Sequence, residues 1–241
     1  MTRFSWIRTL CIAMLTVFLV PQSIDAAKKE PVTEKIVFIP HDNRPISSKQ
    51  TADVVQRVGY DVITPPRELL GNREDWGHPD ALWTWLDENL AQPGVKAAVI
   101  SSDAMIYGSL VGSRKHSFTR DQVLARAARF DALQRSHTKT PLYVFGSIMR
   151  TPRSGEASGH EEPEYYRRYG ADIFRYTVLR DKEEVEGLSR RERKEYDFLG
   201  RLIPKEALAD WMGRREKNYA VNEYLIDLLR KHGTFRYLTL G

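Results

Sequence analysis

Residues 35–48, KIVFIPHDNRPISS, decide the fold. The first half contains Ile36, Val37, Phe38 and Ile39, four β-branched or aromatic residues in a row, which suits a strand covered on both faces. Pro40 ends it, because proline donates no ladder hydrogen bond. The next four residues, His41, Asp42, Asn43 and Arg44, are all polar. Arg44 before Pro45 is held extended, and Ser47 or Ser48 is then placed to cap a helix over 49–58. Strand, polar tip and helix make the opening of a β/α unit. In open α/β sheets and in β/α barrels alike, ligands sit beyond the carboxyl ends of the strands, so Asp42 and Arg44 stand where chemistry is expected.

The same alternation continues outward from that unit. Gly59 closes the helix and residues 60–64 read as a short second strand, stopped by Pro65 and Pro66. Pro79 opens a helix over 80–90 with Leu82, Trp83, Leu86 and Leu90 at helical spacing. Residues 95–100 are a third buried strand running into a second polar cluster, 101–114. Small residues there permit close backbone approach, and Asp103, Tyr107 and Arg114 carry the acid, phenol and guanidinium chemistry. Thr119 or Ser117 caps a helix to Leu133. Residues 141–145 are a fourth strand, with Arg150 just beyond its end.

Residues 154–160 are rich in Gly and Ser and are placed to act as a lid. From 161 to 232 the pattern is helical, with breaks expected near Gly187, Pro204 and Gly213. In its last helix Asn218 and Asn222 share one face and are further candidates for substrate contact. Tyr165, Tyr166 and Tyr169 form an aromatic face, used either in a core or, with Trp83 and Trp85, to stack on sugar rings. Residues 235–240 read as a fifth strand. This order predicts an α/β fold with a largely parallel sheet, either open and doubly wound or an incomplete β/α barrel, carrying a helical segment over 161–232.

Residues 1–27 stand apart. Arg3 and Arg8 flank a basic start, 9–20 is an apolar run of about 12 residues against the roughly 20 of a spanning helix, and small residues precede Ala26 and Ala27. This reads as a cleaved secretory signal peptide, leaving 28–241 as a single exported α/β domain, secreted or periplasmic, with no stable membrane anchor. Cleavage removes Arg3, Arg8 and Asp25, taking the formal charge from +5 to +4. It also removes Cys11, the one cysteine, so the mature chain has no disulfide, thiolate metal site or cysteine nucleophile. The basic residues are interrupted by acids, as in residues 190–195, which argues for solvated helix faces and against a nucleic-acid partner.

Asp42 and Asp103 come from two strand ends that converge, so they are candidates for a catalytic carboxylate pair of the kind glycoside hydrolysis needs, or for ion pairs with nearby arginines. Arg44, Arg114 and Arg150 suit an anionic substrate group, since guanidinium forks match carboxylate or phosphate, or else they neutralise the aspartates. Tyr107 is a hydrogen-bonding candidate beside them. His41 and Asn43 lack the spacing of a metal motif, and no metal or cofactor is expected. No serine sits in a Gly-x-Ser-x-Gly turn, and no phosphate-binding glycine motif occurs.

Three ordered motifs carry a resemblance. They are Ile39-Pro40-His41-Asp42-Asn43-Arg44-Pro45, then Ser102-Asp103 with Ile106-Tyr107-Gly108 and Ser113-Arg114, then 214–222 with the closing Leu238-Thr239-Leu240-Gly241. From Lys35 onward the chain resembles an uncharacterised family of exported bacterial proteins known as a domain of unknown function. In that family the closing strand is usually followed by paired acidic residues and a further β/α portion, so the resemblance implies a C-terminally truncated chain. Three functions are open on this reading. One is a hydrolase acting on carbohydrate or cell-envelope glycan, the second a binding module for a polar or anionic small molecule, and the third an inactive remnant of the fold.

Overall fold

The structure, a computed structural model, describes residues 34–155 and 161–241. Five strands form one parallel sheet: β1 (Lys35–Ile39), β2 (Asp61–Ile63), β3 (Val95–Ser101), β4 (Leu142–Gly146) and β5 (Tyr237–Leu240). Their order is β2-β1-β3-β4-β5. Parallel neighbours need crossovers, which the helices supply: α1 (Lys49–Arg57), α2 (Pro79–Leu90), α3 (Ser102–Tyr107), α4 (Gly112–Lys115) and α5 (Arg120–Ser136). The fold is therefore α/β, and of the two forms expected the sheet takes the open one, with β2 and β5 at its edges among the described residues.

Register brings the strand ends together. Ile39 lies beside Ile100, and Ile100 beside Val144, so the residues that follow β1, β3 and β4 leave the sheet side by side. The chain runs outward from β1 to β2, then crosses back to β3, which makes the β1/β3 boundary the switch point where such sheets leave a crevice.

One face of the sheet is thickly covered. Val37, Ile39, Ala98, Ile100, Leu142 and Val144 pack there against Leu82, Trp83 and Leu86 of α2, the apolar side of α3, and Val123, Ala127 and Phe130 of α5. The opposite face carries α1, whose Ala52 seats on Phe38 and Val62. Trp83 and its neighbours are core residues, with the Trp83 indole N–H donating to the Met105 carbonyl at 3.0 Å.

The helical segment consists of α6 (Tyr166–Val185), α7 (Arg190–Leu202) and α8 (Lys205–Asp227), continued by a π turn over Leu228–His232. It has its own small core, in which Tyr166 and Trp211 meet at 4.4 Å between ring centroids. Tyr166 thus serves packing, as does the ring stack of Tyr176 on Tyr196. α8 joins this core to the sheet, because its far end delivers Val221 and Leu225 to the main core.

One expectation is corrected here. Gly213 does not break a helix: α8 runs through it for 23 residues. A glycine costs about 1 kcal/mol in a helix interior, and the burial of Trp211, Asn218 and Val221 along the same helix outweighs that. Within the polar cluster at 101–114 the chain forms α3 and begins α4. Ser101 caps the first by accepting from the Ala104 N–H. The signal-peptide reading of 1–27 lies outside the described residues, as does most of the lid reading at 154–160.

Candidate functional site

The site forms where β1, β3 and β4 end. After Pro40 the loop is pinned to its surroundings by backbone bonds, with the Leu110 N–H donating to the His41 carbonyl at 3.2 Å and the Asn43 N–H to the Gly71 carbonyl at 2.9 Å. Gly71 in turn donates to the Gly108 carbonyl. Gly108 has φ of +95°, and a Cβ there would lie 1.6 Å from the Trp76 carbonyl oxygen, so only glycine fits. At the end of β4 a Cβ on Gly146 would meet Ser102 Oγ at 2.1 Å, so a larger residue there has to turn that hydroxyl aside. Gly108 lets the turn after α3 close on the connection at Trp76, and Gly146 lets the end of β4 approach α3.

Asp103, in the first turn of α3, is 2 % exposed. Its Oδ1 accepts from the Ser147 hydroxyl at 2.9 Å, and its Oδ2 lies 3.1 Å from His41 Nδ1. The latter contact is electrostatic and not a well-aligned hydrogen bond, and Oδ2 has no hydrogen-bond partner among the described residues. His41 Nδ1 is also 3.0 Å from Ser101 Oγ. A buried carboxylate oxygen facing a bare nitrogen lone pair would be repelled, so the hydrogen belongs on Nδ1. With that hydrogen on Nδ1, the nitrogen able to accept a proton is Nε2. The imidazole lies edge-on to Phe145, centroids 4.7 Å apart, and its side chain is 26 % exposed. Asn222 supports the arrangement from α8 by donating to the Ser147 carbonyl at 3.3 Å.

Asp42 is fully buried, and Arg44 engages it three times: the backbone N–H to Oδ1 at 3.1 Å, Nε to Oδ2 at 2.9 Å and Nη2 to Oδ2 at 2.7 Å. Hydrogen bonding to Asp42 raises the Arg44 guanidinium above its ordinary value despite burial. Sequence reading paired Asp42 with Asp103 as acid and base. The geometry assigns them different neighbours, His41 and Ser147 for Asp103, Arg44 for Asp42.

Arg44, Arg114 and Arg150 converge as expected, but on a carboxylate of the chain itself. Glu161 accepts from Arg44 Nη1 at 3.1 Å, Arg114 Nη1 at 2.7 Å and Arg150 Nη2 at 3.1 Å. Glu162, 4 % exposed, accepts from Arg150 Nε at 2.9 Å. Burial pushes the Glu161 carboxyl up, but Arg114, Arg44 and Arg150 outweigh it and hold the group below its ordinary value. Sequence reasoning missed both acids. Two consecutive glutamates are the only local signal, and nothing in the chain spacing links them to residues 44 and 114.

Two expected substrate contacts fall elsewhere. Tyr107 is 3 % exposed and stacked on His116 at 4.9 Å; burial, then Asp103, push its phenol well above the ordinary value. Asn218 is buried as well, accepting from His116 Nε2 at 3.1 Å and donating to the Ser113 carbonyl at 2.8 Å. Both brace the floor under the site. Asn218 and Asn222 are on one helix, but only Asn222 reaches the strand ends. Among the described residues no three His, Cys, Asp or Glu side chains come together as metal ligands, and no helix is long and apolar enough to cross a membrane.

A family model described as "Protein of unknown function (DUF4127)" matches residues 36–241, which include every residue of this site. No curated protein and no solved structure matches the chain.

Proposed function

We propose, from the premise that the chain belongs to the DUF4127 family of proteins of unknown function, that it is a hydrolase in which His41, held by Asp103, takes the proton from an attacking water. The observation that carries this is the contact of buried Asp103 with His41 Nδ1 at 3.1 Å, which fixes the ring tautomer and stabilises the imidazolium formed on proton transfer. Asp42 has a different part: fully buried under Arg44, it orients that arginine and exchanges no proton. The substrate class is an anionic carbohydrate or cell-envelope glycan. Export directed by residues 1–27 would bring the chain to such material, and the three arginines suit its carboxylate or phosphate groups.

The second reading is a binding module for an anionic small molecule. It is favoured by the convergence of Arg44, Arg114 and Arg150 on one carboxylate, an arrangement that serves retention as well as turnover. Assay of the mature chain on p-nitrophenyl phosphate and p-nitrophenyl glucuronide, beside His41→Asn, separates the two. The hydrolase reading expects turnover of at least one substrate and a loss of about 10²- to 10⁴-fold in the variant. Turnover undiminished in His41→Asn would remove the base. Saturable binding of these compounds with no product formed would make the chain a binding module.

A further inference from the structure

The group left unused by that chemistry is Glu161. Three arginines from three separate strand-end segments close on it: Arg44 from the β1 loop, Arg114 from α4 and Arg150 from the loop after β4, with Arg73 Nε a further 3.8 Å from Oε1. We propose that these arginines are a binding site for a dianionic phosphate group, and that Glu161 is its built-in occupant, displaced when the phosphate of a ligand arrives. The inference rests on the reading that the strand-end site takes an anionic ligand, and it names the group.

A structural ion pair needs one arginine. Here three guanidinium groups share one carboxylate, and Arg114 Nε is left over, buried with no partner among the described residues. A tetrahedral phosphate, with more oxygens pointing in more directions, uses such a surplus. Two of the arginines are also held in place by other acids. Asp42 takes Arg44 Nε and Nη2, and Glu162 takes Arg150 Nε, while Arg44 Nη1 and Arg150 Nη2 point at Glu161. The braces keep the donors aimed whether or not Glu161 is present, which is how a site preorganised for an exchangeable ligand differs from a closed pair.

Charge agrees. Among the described residues, four guanidinium groups, Arg44, Arg73, Arg114 and Arg150, face three carboxylates, Asp42, Glu161 and Glu162. Withdrawing Glu161 leaves an excess of two positive charges, the complement of a phosphate monoester dianion.

The test is calorimetric titration of the full chain with inorganic phosphate, and separately with glucuronate, at low ionic strength. Wild type is compared with Glu161→Gln and with Glu161→Gln/Arg114→Gln. A site nine-tenths occupied by its own glutamate loses about tenfold in apparent affinity, so Glu161→Gln is expected to bind phosphate at least about tenfold tighter, and the added Arg114→Gln to abolish the gain. Equal or weaker binding in Glu161→Gln, or a gain that survives Arg114→Gln, overturns the proposal. A gain for glucuronate as large as for phosphate overturns the phosphate assignment. Should Glu161→Gln fail to fold, amide exchange in wild type decides: phosphate is expected to speed exchange at residues 161–165, and unchanged or slower exchange there overturns the displacement. Since these experiments read binding and not turnover, the occupant can fail while the His41 base stands, and the reverse.

Discussion

At Asp42 the deciding neighbour is Arg44, two residues along the same loop. A fully buried carboxylate holding three hydrogen bonds from one arginine is closed off from a substrate, and removing Arg44 leaves an uncompensated buried charge. Asp103 is equally buried, yet its partners are a hydroxyl and an imidazole, groups that can pass a proton onward. The glycines matter at the same scale. Gly108→Ala sets a Cβ against the Trp76 carbonyl in a left-handed conformation, and is expected to lower stability by about 2 kcal/mol or more. Gly146→Ala meets the end of the Ser102 side chain, which can rotate, so its cost is expected to be smaller. Urea unfolding of the two variants ranks them, and a reversed order would contradict the rigid-backbone contact at Gly108.

Helices show where local sequence suffices. Thr119 and Gln122 form a reciprocal capping box at the start of α5, with Gln122 N–H to Thr119 Oγ1 at 3.2 Å and Thr119 N–H to Gln122 Oε1 at 2.9 Å. Thr119→Ala is therefore expected to cost about 1 kcal/mol by chemical denaturation. Trp211→Ala in α8 removes a fully buried side chain from the core shared by α6, α7 and α8, and is expected to cost about 3–5 kcal/mol. A Trp211 effect no larger than that of Thr119 would mean that the helical segment does not depend on its aromatic centre. α8 also exposes the limits of local reading. Gly213 looks like a break in sequence and is not one, since packing on two cores overrides a weak propensity.

Across the whole molecule, stability is tied to pH through His116, which sits between the rings of Tyr107 and Phe118 with Asn218 at Nε2 and the Arg214 guanidinium on its carbonyl. Burial lowers its imidazole to about 4; Asn218 and Asp210 favour the charged form, while Lys217 and Arg214 oppose it. The unfolded chain takes up this proton near 6.5 and the folded chain only near 4. Between those values the unfolded state binds more protons, so the contribution is complete above about 6.5 and is lost as pH falls towards 4. The carboxyl groups of Glu161 and Asp210, partly desolvated but held below their ordinary values by arginine partners and, for Asp210, by Tyr165 as well, withdraw stability in the same direction at lower pH. Thermal unfolding from pH 7.5 to 4 is expected to show a loss of roughly 3 kcal/mol that His116→Gln largely removes. An identical pH slope in wild type and variant would exclude His116 as its source.

By itself the sequence determined the strands, the parallel α/β class and the edge of the sheet that carries polar residues, because all three follow from short-range patterns: apolar runs, proline stops and polar tips. It also supplied Arg44, Arg114 and Arg150 as a converging set. Tertiary structure decided partners. His41 with Asp103, Asp42 with Arg44, and Glu161 with three arginines are pairings across 2 to 117 positions of chain, set by the register of β1, β3 and β4 and by where α8 crosses behind them. Tyr107 and Asn218 carry side chains able to bind ligand, and only burial by neighbouring elements makes them structural. Residue type is written in the chain, whereas the field and solvent exposure that give a titratable group its role come from groups distant in sequence, and these exist only once the sheet has formed.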